Sequence, residues 1–131
     1  MLECLILGDS IAQGIAQHRS ECAVYAKVGI NSFAWNNKNI TKPLSAKTVV
    51  ISLGANDSAS INTKRELEAL REVVKAEIVF WILPYNKPDL HQFIRELAED
   101  YRDIVLPITS ISSDKVHPTT KGYKLLANQT R

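Results

Sequence analysis

The sequence predicts an α/β protein: a three-layer α/β/α sandwich built on a five-stranded parallel sheet in the order 2-1-3-4-5. Three observations predict it. Five short apolar runs are widely spaced along the 131 residues. Three of them (LILG, VVISL and IVFWIL) are continuously apolar and rich in Ile and Val, as strands covered on both faces are. Helix-compatible segments fill the intervals, and such alternation with right-handed crossovers yields a parallel sheet.

The runs are Leu2–Leu7, Cys22–Val28, Thr48–Leu53, Ile78–Leu83 and Ile104–Ile108. A short first helix is expected from Ser10 to about Gln17, with Ser10 in the capping position. Residues 31–46 suggest a short helix and a loop. Thr63-Lys64-Arg65-Glu66 matches a capping box and leads into Leu67, Leu70, Val73 and Val74 at helical spacing. Asp89, with Gln92 three residues on, precedes the stripe of Leu90, Phe93, Ile94 and Leu97. Thr119 or Thr120 can open a last helix carrying Tyr123, Leu126 and Ala127. Pro107 interrupts the fifth run and the second run is the most polar, which suits the two sheet edges.

Length and composition narrow the function. The chain is long enough for one domain, residues 1–131, with a real core. Sixteen basic against fourteen acidic residues give a net charge of +2, which does not point to nucleic acid. Apolar runs of about six residues are far short of the roughly 20 that span a bilayer. Cys4 and Cys22, in strand-like runs, read as buried free thiols. With no basic leader at the N-terminus, they suggest a reducing cytoplasm.

In a sheet of this order, ligands bind beyond the carboxyl ends of the strands, near the reversal between strands 1 and 3. Three glycine-bearing polar tips fall there: Gly8-Asp9-Ser10, Gly29-Ile30-Asn31-Ser32 and Gly54-Ala55-Asn56-Asp57. Alone, Ser10 is a helix cap. A nucleophile needs a base, and His18 and His91 read as surface residues. His117 stands just after the last strand, and Asp114, three residues before it, can orient the imidazole. Strand 5 lies about 14 Å from strand 1 at roughly 4.8 Å per strand. Residues 108–117 can span about 30 Å, so His117 can reach Ser10. Gly29 N–H, the Asn56 amide and the Ser10 N–H at a helix start could receive an oxyanion.

Gly8-Asp9-Ser10, Gly29, Gly54-x-Asn56-Asp57 and Asp114-x-x-His117-Pro118 together resemble, in order, the four blocks of the SGNH (GDSL-type) hydrolases. The tail from Lys121 to Ala127 also looks like that family's final helix. The resemblance spans the chain and implies the SGNH hydrolase fold, with its flavodoxin-like strand order. It implies Ser10 as nucleophile, His117 as base and Asp114 as the orienting acid. Ser10 N–H, Gly29 N–H and the Asn56 side chain would form the oxyanion hole. Asp9 and Asp57 would tie down loops. The reaction implied is acyl-enzyme hydrolysis of an ester, with no cofactor and no metal.

The short chain leaves little loop to build an acyl tunnel. A shallow site is expected, suited to short acyl groups such as acetyl on a sugar or glycan, with Tyr85, Asn86 and Trp35 as candidate rim contacts. Trp35 also reads as core. An acyltransferase would use the same residues. A phosphate-accepting receiver domain would use Asp9, Asp57 and Lys115 around Mg²⁺, but it leaves Asn56, Asp114 and His117 without a role.

Overall fold

The computed structural model describes all 131 residues and has the expected strand order. Strands β1 (Leu2–Gly8), β2 (Ala23–Ala26), β3 (Ser45–Ser52), β4 (Lys75–Ile82) and β5 (Ile104–Leu106) pair in parallel as β2-β1-β3-β4-β5. Helices α1 (Ser10–Ala16), α2 (Ser32–Asn39), α3 (Thr63–Val73), α4 (His91–Tyr101) and α5 (Thr120–Gln129) connect and flank them.

The two-residue period of the strands splits the core in two. Leu5, Leu7, Val49, Ile51, Val79 and Trp81 face α2, α3 and α4, meeting Trp35, Leu67, Leu70, Ile94 and Leu97. Ile6, Val50, Phe80 and Ile82 face α1 and α5, meeting Ile11, Ala12, Ile15, Leu126 and Ala127. Each fully buried large aliphatic side chain contributes roughly 1.5–3 kcal/mol. The middle strands need apolar residues on both faces for this reason, which is why their runs are unbroken.

Several boundaries differ from the sequence expectation. β3 and β4 start three residues early, at Ser45 and Lys75, because backbone pairing of Ser45 with Lys75 and of Ala46 with Ala76 carries the ladder past the apolar runs; of these added residues only Ala46 is fully buried. Asn62, not Thr63, caps α3, accepting from Arg65 N–H; the Thr63 hydroxyl donates to Asp57 instead. Asp89 caps nothing: Pro88–Leu90 form a 3-10 turn ahead of α4. A buried polar network was not legible at all. Arg71 grips Asp103 through two hydrogen bonds of 2.7 and 2.9 Å, and the Trp81 indole donates to the same carboxylate.

The expectation of free thiols is overturned. Cys4 and Cys22 are joined in a disulfide. The β1–β2 register pairs Leu5 with Ala23, so the cysteines before them stand side by side with a Cα separation of 4.7 Å, inside the range a disulfide spans. The cysteine argument for a reducing compartment falls with it. The bond closes a loop of sequence separation 18, for which chain entropy gives about 3 kcal/mol. Reduction is therefore expected to lower the unfolding free energy by about that amount, read as a lower urea midpoint. An unchanged midpoint would show that the bond adds no stability. No helix is long and apolar enough to cross a membrane.

Candidate active site

The site begins where β1 ends. β1 and β3 pass so closely at Gly8 and Ser52 that a Cβ on Gly8 would collide with the Ser52 carbonyl, and Gly8 has φ +144°. Only glycine allows this turn. Asp9 then takes the cap of α1: its carboxylate accepts from Ile11 N–H at 3.0 Å and from the Ser52 hydroxyl at 3.3 Å, and its own N–H donates to Ser52 O. This corrects the placement of Ser10 as the cap. Ser10 is the first helical residue, and its hydroxyl is free to face elsewhere.

It faces His117. Ser10 Oγ lies 2.8 Å from His117 Nε2, and His117 Nδ1 lies 2.7 Å from Asp114 Oδ2. An ionised carboxylate can only accept, so Nδ1 carries a ring proton, and in the neutral imidazole Nε2 is then the nitrogen that accepts from the Ser10 hydroxyl. Such a chain can pass the Ser10 proton to His117 while Asp114 steadies the imidazolium.

The loop after β5 is built to present this pair. Ser112 N–H donates to His117 O, and an antiparallel bridge joins Ile111 to Pro118, closing a small turn with Lys115 at φ +60°. Asp114 sits at its centre. The Ser112 hydroxyl foremost, then His117 through its N–H and ring, and the Val116 N–H hold the carboxyl well below the usual carboxylate range. Ser112 was missed by sequence reasoning, since nothing marks a serine two residues before an aspartate as its donor. The pair lies open to solvent: the His117 and Asp114 side chains are 40% and 51% exposed.

The candidate oxyanion donors have free hydrogens. Neither Ser10 N–H nor Gly29 N–H donates to any protein group. Gly29 sits at φ +78° with open space beside it. Asn56 is exposed; one amide hydrogen goes to Ile30 O at 3.1 Å, which ties it to the Gly29 loop and leaves the other hydrogen. Asp57 is buried and accepts from Ser32 N–H, the Ser32 hydroxyl and the Thr63 hydroxyl, bracing the β2 and β3 tips against each other. Asp9 and Asp57 are therefore spent inside the fold, and Lys115 is an exposed turn residue; the arrangement a receiver needs is not made.

Of the rim candidates, Tyr85 is exposed on the loop after β4. Asn86 is half-buried and donates to Ala55 O, so it braces the Asn56 loop. Trp35 is fully buried with its indole N–H on Tyr25 O; it is core, not rim. Tyr123 was not singled out for the site. It packs on Gly14, where a Cβ would enter its ring, and burial together with the charges of Asp9 and Asp114 pushes its hydroxyl up to about 12.

No protein-family model matches the chain, and no curated protein matches it by sequence. Solved structures do. A protein from Slackia heliotrinireducens described as a candidate SGNH hydrolase superposes with a TM-score of 0.70 at 18% identity, over 98% of each chain. The fold is that of the SGNH hydrolases. A candidate acylhydrolase from Bacteroides fragilis superposes with a TM-score of 0.67 at 16% identity, over 97% of this chain and 83% of that one. The C-terminal catalytic domain of peptidoglycan O-acetyltransferase A from Streptococcus pneumoniae gives 0.58 at 18% identity, over 96% and 88%.

Burial also sets a pH dependence. It pushes the Asp9 carboxyl up from 3.8 to about 6, against hydrogen bonds from the Ile11 N–H and the Ser52 hydroxyl, and Oδ2 has no partner. Between about pH 4 and 6 the folded protein keeps a proton that the unfolded chain releases. Stability therefore falls as pH rises through that window, by up to about 3 kcal/mol. Asp9→Asn is expected to flatten this slope, measured as urea midpoints from pH 4 to 8. An identical slope in the variant would assign the effect to another group.

Proposed function

We propose that the protein is a serine ester hydrolase that removes short acyl groups, such as acetyl on a sugar or glycan, through an acyl-enzyme. The observation that carries this reading is the unbroken hydrogen-bonded chain from Asp114 through His117 to Ser10. His117 takes the Ser10 proton as Oγ attacks the ester carbonyl. Ser10 N–H, Gly29 N–H and the free Asn56 amide hydrogen receive the oxyanion. His117 returns the proton to the departing alcohol, and water, activated by the same imidazole, releases the acyl group. The openness of His117 and Asp114 suits a small acyl group on a bulky alcohol better than a long chain needing a tunnel.

Transfer of the acyl group to an alcohol acceptor instead of water is the second reading. The likeness to an O-acetyltransferase catalytic domain favours it, and the same residues would serve. Turnover of p-nitrophenyl esters from acetate to octanoate tests the first step common to both, and a serine-directed phosphonate should label Ser10, located by mass. Fastest turnover at acetate is expected. Absence of both turnover and label would end the reading. Product analysis with added sugar acceptors separates hydrolysis from transfer.

A further inference from the structure

The near-neutral total charge hides an uneven distribution. No Asp or Glu occurs between Glu21 and Asp57, yet that stretch carries Lys27, Lys38, Lys42 and Lys47. Folding assigns these lysines to different places. Lys47, early in β3, pairs with Glu3 at 3.6 Å. The other three form no ion pair and gather beside the β2 tip.

Lys27 and Lys38 line one cleft of about 320 Å³, whose wall includes Gly29. A second cleft of about 190 Å³ shares Lys27, Lys38 and Ile30 with it and adds Tyr25 and Lys42. Lys42 lies 4.6 Å over the Tyr25 ring and donates to Asn39 Oδ1 at 2.8 Å, so its ammonium is held on this wall. Neither cleft is lined by a carboxylate. Like charges gathered in a concave wall raise the local positive potential and attract an anion. The track starts at Gly29, whose unpartnered N–H is a proposed oxyanion donor.

We infer that the substrate is an ester carrying a carboxylate or phosphate group, which Lys27 and Lys38 hold while the acyl carbonyl rests against Gly29, with Lys42 extending the cationic track. This deepens the ester-hydrolase reading and rests on it. The anion adds no chemical step; it orients the ester and concentrates it at the site.

The test compares kcat/KM for acetyl esters of glucose, glucuronic acid and glucose phosphate. At low salt at least one anionic ester should exceed the neutral one by about tenfold or more. The better of the two identifies the group as carboxylate or phosphate. The anionic-to-neutral ratio should fall toward one in 0.5 M salt and in Lys27→Gln/Lys38→Gln. It should persist in Lys75→Gln, at the opposite end of the sheet. A ratio near one in the wild type, or one that the double variant leaves unchanged, overturns the inference. Calorimetric binding of the two anionic esters to Ser10→Ala protein separates this from failure of the ester-hydrolase reading. Binding abolished by the lysine changes supports the cationic track even if no ester is turned over. Absence of binding overturns it.

Discussion

Ser10→Ala is expected to lower ester turnover by about 10⁴-fold or more while leaving the fold intact. The hydroxyl is the only group in the chain placed 2.8 Å from His117 Nε2, so its removal leaves the base with nothing to activate but water. The structural cost is small because Ser10 does not cap α1. Asp9 does, and its bonds to Ile11 and Ser52 survive the change. Steady-state rates on p-nitrophenyl acetate and thermal melts of both proteins supply the measurement. A variant within tenfold of wild type would show that Ser10 is not the nucleophile. A lost activity accompanied by a collapsed melt would instead place the serine in the scaffold.

Asn56→Ala is expected to cost about 10²–10³ in kcat with KM little changed, the pattern of a donor that works mainly on the transition state. Asn56 is exposed and gives one amide hydrogen to Ile30 O. Losing that single bond should cost only about 1 kcal/mol of stability. The discriminating result is the split between constants. A raised KM with kcat preserved would make Asn56 a ground-state contact, and would leave Ser10 and Gly29 N–H as the oxyanion donors.

Much of this site was legible before folding because of where its residues sit. Ser10, Gly29 and Asn56 each follow the end of an apolar run, and a parallel sheet carries every such end to one rim. Asp114 and His117 are three residues apart, and one local turn joins them. The division of labour inside each tip was not legible. Asp9 and Ser10 are adjacent, and both can cap a helix. Only the approach of Ser52 to Asp9 and of His117 to Ser10, from residues far along the chain, assigns the cap to one and the free hydroxyl to the other. The same holds for Thr63, which fits a capping box by spacing but is drawn to Asp57.

The sequence by itself therefore determined the layering, the strand order and the rim on which the site lies. These follow from local periodicity and from the handedness of crossovers, which are properties of short segments. The tertiary structure alone decided the disulfide, the spent carboxylates of Asp9 and Asp57, the burial of Trp35 and the cationic clefts beside Gly29. Each of these depends on register between strands or on packing between helices. Cys4 and Cys22 meet because Leu5 pairs with Ala23. Lys27 and Lys38 share a cleft because α2 folds back beside the β2 tip. Such pairings set distances between residues that the linear order leaves free.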